Sequence, residues 1–184
     1  MRHLPNLICL FRIGLIWPIV HSIWAGRFTT ALALFLLAAV SDGLDGYLAK
    51  RFGWQSPLGK VLDPLADKLL LVVVFVEMTW LEMVPWWLTA AAVARDVLIG
   101  LGAIVFRFWF GPLRGRPTIV SKINTAMQLA FLMGVMLHAA SGWFPPQVLL
   151  SLGAVLTLCT TAFSGFDYVM AFTRRAWSRP VSYS

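Results

Sequence analysis

Charged residues are scarce in this chain of 184 residues, at 12% of the sequence, while hydrophobic residues make up 59%. A soluble domain carries about 25% charged residues, so the composition argues against a water-soluble domain and indicates an integral membrane protein. The length suits one domain, which we expect to cover residues 1–184.

Cysteine and histidine are also few, with two and three residues respectively. Cys9 and Cys159 lie far apart in apolar segments, which does not support a disulfide framework. We expect both to behave as small buried hydrophobic residues. The histidines are isolated from one another, and we assign them no catalytic role.

Acidic residues number only 8, against 15 lysines and arginines. The basic residues are spread over the ends of apolar segments and do not form a basic groove interleaved with aromatic residues, which excludes nucleic acid as the expected partner. A lipid bilayer with anionic headgroups or phosphate-bearing substrates fits this distribution better.

Six apolar segments are long enough to cross a bilayer as helices, since about 20 residues suffice. They cover residues 8–25, 28–50, 58–82, 85–106, 119–141 and 146–172. Glycine and proline mark the breaks between them, and residues 2–12 predict a short interfacial helix before the first span. The expected fold is therefore an all-α membrane protein with six transmembrane helices and this N-terminal interfacial helix.

The distribution of basic residues predicts the orientation. With six spans, both termini and the second and fourth loops share one side, which holds nearly all the loop lysines and arginines, while the other side has essentially Arg27. By the positive-inside rule the basic side is cytoplasmic. We expect a multi-pass protein of a bacterial inner membrane with the aspartate segment described next on the cytoplasmic side.

Half of the acidic residues fall within residues 42–67. They are Asp42, Asp45, Asp63 and Asp67. The first two are three residues apart on the second predicted helix and the last two are four apart on the third, so each pair shares a helix face. We expect a short turn at 51–57 to make these helices antiparallel neighbours and to bring the four carboxylates together.

Carboxylates near a lipid phase are costly unless they are paired or bound to a cation. Hard oxygen ligands favour Mg²⁺, Mn²⁺ or Ca²⁺ over zinc, and metals held by carboxylates commonly bind diphosphates. Gly46, Ala49 and Gly59 lie beside the aspartates on the same faces. Their small size leaves room for a ligand to approach the helix backbone.

The same segment resembles the signature of the CDP-alcohol phosphatidyltransferase family, D-x-x-D-G-x-x-A-R-x8-G-x3-D-x3-D. Every spacing is kept, and the one departure is Lys50 where the family usually has Arg, with Arg51 directly after it and able to share the role. The resemblance implies that Mg²⁺ or Mn²⁺ is the cofactor and that Asp67 acts as general base. Its implied metal ligands are Asp42, Asp45, Asp63 and Asp67.

The resemblance also implies the donor substrate, CDP-diacylglycerol, with release of CMP. Gly46, Ala49, Lys50 and Gly59 would then line the nucleotide pocket. The N-terminal PNLICLFR is similar to the family's opening segment, which adds Asn6 to the nucleotide-binding set. Members of the family are commonly homodimers.

The remaining charged residues bear on the binding of the acceptor. Arg95-Asp96 interrupts an apolar run, either as an internally paired charge that orients the helix or with Arg95 near a phosphate. The loop at residues 106–122 is either a solvated loop that binds lipid headgroups or a pocket for the acceptor. The candidate acceptor-binding residues are Arg95, Arg114, Arg116 and Lys122.

Residues 117–128, PTIVSKINTAMQ, are similar to the CMP-forming cardiolipin synthases of the family, which implies phosphatidylglycerol as acceptor. The phosphatidylglycerophosphate synthases share Lys122, Thr125 and Gln128 in this layout and use glycerol 3-phosphate. The resemblance favours the first acceptor, and no physical rule separates the two.

Two other functions fit the sequence less well. Membrane prenyltransferases also hold a diphosphate through aspartates and Mg²⁺, but need more helices and other motif spacings. A cation transporter would bind the ion through carboxylates, but these would lie near the bilayer midplane rather than on the cytoplasmic side.

Overall fold

The computed structural model describes the backbone of residues 4–52, 59–110 and 119–177, and the side chains of residues 10–43, 66–102, 119–170 and Thr173. Within these ranges the regular elements are all α-helices, with no β-strand. The helices are α1 (Leu4–Trp24), α2 (Phe28–Phe52), α3 (Gly59–Trp80), α4 (Trp86–Phe110), α5 (Ile119–Ser141) and α6 (Gln147–Trp177).

The six helices follow the six predicted segments in order, because glycine and proline end them where expected. Gly26 and Gly142 have φ of 66° and 78°, the left-handed conformation in which glycine commonly ends a helix. At the start of α4, the Pro85 carbonyl accepts the backbone N–H groups of Leu88 and Thr89. Proline fits a helix start because its missing N–H would have no partner there.

The prediction of a separate interfacial helix at residues 2–12 is wrong for the described part of that range. Helix α1 is continuous from Leu4 to Trp24 and includes Pro18 in its interior. Pro5 lies in its first turn, where a proline does not interrupt helical hydrogen bonding. The N-terminal segment is therefore one helix that carries Arg12 in its middle.

The packing of α2 and α3 also differs from the prediction that they are direct neighbours. Among the described residues, extensive packing joins α1 to both helices, and α5 also packs against both. The common core includes Ile19 of α1, Phe35 of α2, Val74 of α3 and Leu132 of α5, all fully buried. Helices α2 and α3 therefore face each other across a space that α1 and α5 border.

Two described segments are long and apolar enough to cross a membrane, Ile119–Ser141 and Gln147–Met170. Shorter apolar segments lie at Leu10–Trp24 and Phe28–Gly43. Cys159 on α6 is a free thiol, as expected, but it is exposed and not buried. The expectation that both cysteines are buried is therefore wrong for this one.

Candidate active site

A cavity of about 530 Å³ opens between α1, α2, α3 and α5, near the end of the bundle where α2 finishes and α3 begins. Among the described residues, its polar lining consists of Arg12, Asp42, Asp67, Lys68, Ser121, Lys122 and Thr125. Its apolar lining consists of Ala38, Ala39, Leu70, Leu71, Ala126 and Leu129. A smaller cavity of about 340 Å³ at the other end of the bundle has none of the predicted site residues in its described lining.

The acidic side of the cavity joins three helices through one buried arginine. Arg12 of α1 is 1% exposed, and its Nη1 lies 2.9 Å from Asp42 Oδ1 of α2. The same nitrogen donates a hydrogen bond to Asp67 Oδ1 of α3. Because one guanidinium nitrogen reaches both carboxylates, oxygens from two helices converge on a single point.

The structure thus brings together two of the four predicted metal ligands, Asp42 and Asp67. The side chains of Asp45 and Asp63 lie outside the described residues, as do those of the predicted nucleotide-binding residues Asn6, Gly46, Ala49, Lys50 and Gly59. Among the side chains that are described, no group of three or more His, Cys, Asp or Glu forms a metal-binding cluster.

The two described aspartates fit a divalent metal. They offer hard carboxylate oxygens from facing helices, at a point already suited to a positive charge, and both side chains are partly exposed to the cavity. Mg²⁺ is commonly bound through one or two carboxylates together with substrate phosphates. Asp45 lies on α2 together with Asp42, and Asp63 lies on α3 together with Asp67.

On the basic side of the cavity, one carboxylate pairs with two cations. Asp96 Oδ1 on α4 accepts from Lys68 Nζ at 2.6 Å and from Arg95 Nη1 at 2.6 Å. Arg95 is buried, and its Nη2 also donates to Ser121 of α5 at 2.7 Å, while its Nε donates to Ser164 of α6 at 3.2 Å. This network ties α3, α4, α5 and α6 together behind the cavity wall.

Of the predicted acceptor-binding residues, Lys122 lines the cavity and Arg95 is not among its described lining. The pairing of Arg95 with Asp96 agrees with the internally paired interpretation, and contact between Arg95 and an acceptor stays a prediction. Arg114 and Arg116 lie outside the described residues.

Helix α5 is held in register by a buried polar contact with α6. Asn124 Oδ1 accepts hydrogen bonds from the hydroxyls of Thr160 and Thr161 at 3.0 and 2.8 Å. Asn124 is fully buried. Since Lys122 and Thr125 flank it on the same helix, this contact fixes the part of α5 that faces the cavity.

Two charged residues of the described cavity lining, Arg12 and Lys68, are not among the site residues that the sequence predicts. Arg12 belongs to the N-terminal PNLICLFR segment, and a charge in the middle of an apolar helix is a signal that a buried partner exists. Lys68 directly follows Asp67 in the sequence. Its neighbour Asp96 lies on another helix, so sequence spacing gives no indication of that pair.

Comparison with known proteins agrees with the motif. A family model for CDP-alcohol phosphatidyltransferase matches residues 2–164. The cardiolipin synthase (CMP-forming) of Rattus norvegicus is 34% identical over 181 residues, which cover 90% of this chain and 60% of that protein. The protein of the same name in Homo sapiens has the same identity and coverage.

A bacterial relative matches over nearly its whole length. The CDP-diacylglycerol--glycerol-3-phosphate 3-phosphatidyltransferase of Yersinia pestis (strain Pestoides F) is 30% identical over 195 residues, which cover 96% of each chain. By contrast, the chain spans 60% of the length of the two cardiolipin synthases. The extent of the family match and the aspartates that meet at Arg12 lead to one conclusion: the chain belongs to the CDP-alcohol phosphatidyltransferase family.

Proposed function

We propose that this chain transfers a phosphatidyl group from CDP-diacylglycerol to the hydroxyl of an acceptor, with release of CMP. Phosphatidylglycerol is the favoured acceptor and cardiolipin the product. Glycerol 3-phosphate, which would give phosphatidylglycerophosphate, is the second candidate. Relatives named for each of these two reactions match the chain at 34% and 30% identity.

The observation that carries this proposal is the amphipathic cavity. Asp42 and Asp67 lie on its polar part, and leucines of α3 and α5 line its apolar part. A ligand that fits both must have a charged headgroup joined to hydrocarbon, which is the chemistry of a lipid-linked diphosphate. A cation would make no favourable contact with the apolar wall, whereas a lipid chain would, so the cavity supports an enzyme that handles lipid.

The reaction requires a proton acceptor beside the attacking hydroxyl. The acceptor oxygen forms a bond to the phosphatidyl phosphorus, the bond from that phosphorus to the CMP oxygen breaks, and the hydroxyl proton moves to the Asp67 carboxylate. Asp67 is suited to this role because it lines the cavity and because Arg12 fixes its orientation.

The four aspartates, Asp42, Asp45, Asp63 and Asp67, would hold Mg²⁺ or Mn²⁺. When bound, such a cation would neutralise the diphosphate oxygens and stabilise charge on the leaving group. Arg12 holds the Asp42 and Asp67 carboxylates at one point. Nucleotide contacts are proposed for Asn6, Gly46, Ala49, Lys50 and Gly59, from the motif alone.

The apolar wall also supports a lipid acceptor. Leu70, Leu71 and Leu129 border the cavity from two helices, so an acceptor with acyl chains has a surface to contact beside the reacting groups. Glycerol 3-phosphate is small and hydrophilic and would leave this surface without a partner unless the donor lipid covers it.

We further propose that all six helices lie in a membrane as one domain, with the cavity on the cytoplasmic side of a bacterial inner membrane. Exposed tryptophans support this arrangement at the end opposite the cavity. Trp80, Trp86 and Trp143 expose 74% to 76% of their surface there, and tryptophan in such positions is typical of the membrane interface. A homodimer is expected from the family resemblance.

The test is direct. Purified protein in detergent, supplied with CDP-diacylglycerol and Mg²⁺, should release CMP when phosphatidylglycerol is added and should form cardiolipin, identified by mass spectrometry. A parallel reaction receives glycerol 3-phosphate. Phosphatidylglycerophosphate with no cardiolipin would overturn the acceptor, and absence of CMP release with both would overturn the activity.

A further inference from the structure

We propose that Lys68 binds the phosphate group of the acceptor, and that Asp96, itself paired with Arg95, holds the Lys68 ammonium group at the cavity wall. The inference rests on the proposed function, since it concerns the acceptor of that reaction. It assigns a substrate-binding role to a lysine outside the aspartate motif.

The position of Lys68 is the first argument. It lines the same cavity as Asp67, the residue that precedes it on α3. Both candidate acceptors contain a glycerol phosphate unit, in which three carbons separate the phosphate from the terminal hydroxyl. An acceptor whose phosphate contacts Lys68 would therefore have its hydroxyl close to Asp67, where the proton must leave.

The second argument is charge. One oxygen of Asp96 accepts from both Lys68 and Arg95, each at 2.6 Å, so two cations share one carboxylate. Lys122 adds a further cation to the cavity lining. This side of the cavity therefore has an excess of positive charge among its described side chains, and an anion is the ligand that would balance it.

The third argument is the donor geometry of Lys68. Its ammonium group has three N–H donors, and Asp96 accepts one of them. The side chain is 35% exposed, whereas Asp96 is 11% exposed and Arg95 is 4% exposed. Exposure thus rises from the anchor to the lysine, which is the charged member of the network that lines the cavity.

Asp96 and Arg95 act as positioning residues in this arrangement. The Arg95 guanidinium is itself fixed by Ser121 and Ser164 on two further helices. Lys68 is therefore bonded to a carboxylate whose orientation Arg95 fixes. A lysine whose sole task was to neutralise Asp96 would be redundant, because Arg95 already pairs with that carboxylate.

The experiment compares Lys68→Met with the wild type in steady-state kinetics, using dioctanoyl phosphatidylglycerol in one arm and glycerol 3-phosphate in the other. We expect the KM of any acceptor that is used to rise about tenfold or more, with the KM of CDP-diacylglycerol unchanged. Lys68→Arg should recover most of the loss, since it keeps the charge. Arg27→Met, which removes an exposed cation from the α1–α2 connection at the other end of the bundle, is the matched control and should behave as wild type.

A binding measurement separates this role from a structural one. Calorimetric titration of each acceptor without CDP-diacylglycerol should show about tenfold weaker affinity for Lys68→Met. If that variant does not elute as a folded species in size-exclusion chromatography, Lys68→Gln, which keeps a polar side chain, replaces it. A loss with one acceptor alone would support the inference and identify that acceptor.

The inference and the proposed function fail differently. Unchanged acceptor KM and affinity in a folded, active Lys68 variant would overturn the phosphate contact while the transferase stands. A wild-type protein that releases no CMP with either acceptor would overturn the proposed function, and weaker calorimetric binding by the Lys68 variant would then still support a phosphate site.

Discussion

The two sides of the cavity both pair cations with carboxylates, but in opposite ratios. On the acidic side one cation, Arg12, serves two carboxylates, Asp42 and Asp67. On the basic side one carboxylate, Asp96, serves two cations, Arg95 and Lys68. Among the described side chains each side therefore has an excess of one charge, and the comparison predicts that a cation completes the first and an anion completes the second.

Burial follows the same plan on both sides. An arginine is the most buried member of each group, with Arg12 at 1% and Arg95 at 4% exposure. The other charged members of these groups that line the cavity are more exposed, at 42% for Asp42 and 35% for Lys68. A planar guanidinium with five donors suits the anchor because it can bond several partners in fixed directions. The partly exposed groups are then free to exchange partners with a ligand.

The largest effect is expected on the acidic side, from Asp67→Asn. The change removes the proposed base and keeps the size of the side chain, so kcat should fall by about 10²- to 10⁴-fold. The KM of CDP-diacylglycerol should change little, because a base acts mainly in the transition state. Initial rates of CMP release over a range of CDP-diacylglycerol concentrations provide the measurement.

Glu77→Gln is the matched control for that variant. Glu77 is also on α3, but its Oε2 accepts from Trp24 Nε1 near the other end of the helix. It should retain wild-type turnover. If Asp67→Asn lowered only substrate affinity, Asp67 would be a ligand and the base would lie elsewhere.

The next effect concerns the anchor of the acidic side, Arg12→Met. Without the guanidinium, Asp42 and Asp67 lose the cation that joins them, and removal of one partner from a buried pair is costly. Because both aspartates are partly exposed, we expect a loss of about 1–3 kcal/mol in stability. Thermal unfolding in detergent with a chelator present should show this as a lower Tm.

Added Mg²⁺ sharpens the comparison. It should raise the Tm of Arg12→Met more than that of the wild type, because in the wild type the metal competes with Arg12 for the same carboxylate oxygens. The matched variant Arg27→Met should show the wild-type response. An equal Tm loss for Arg12→Met with and without Mg²⁺ would mean that Arg12 stabilises the helix packing and has no relation to a cation site.

The helix pattern was predictable because its signals are local. Gly26, Pro85 and Pro146 stand at helix ends in the structure as in the sequence, and the predicted bounds of α5 agree with the observed ones. Periodicity alone placed each aspartate pair on one helix face. The aspartate motif also led to the family that the sequence comparisons show.

The partners of the charged residues were not predictable in the same way. Arg12 and Asp67 are 55 positions apart, and Lys68 and Asp96 are 28 apart. Which side chains meet at such separations depends on the rotation and tilt of packed helices, and hydropathy does not specify these. For the same reason the sequence suggested that α2 and α3 pack directly, whereas α1 and α5 lie against both.

The smallest effect tests whether the basic side acts as a unit. If Arg95 affects the acceptor only through Asp96 and Lys68, then Arg95→Met and Lys68→Met should not be additive. Their coupling in acceptor binding should lie in the range of about 0.5–3 kcal/mol that is found for residues in one network. A double-mutant cycle on acceptor KM, with the fold of each variant checked by chromatography, measures it.

Direct contact between Arg95 and the acceptor phosphate predicts instead that the double variant loses nearly the sum of both single effects, because two separate phosphate contacts would be removed. That result would return Arg95 to the substrate-binding set and make Lys68 and Arg95 independent ligands. A coupling close to the whole effect of Arg95→Met would identify the arginine as the anchor of the basic side, as Arg12 is of the acidic side.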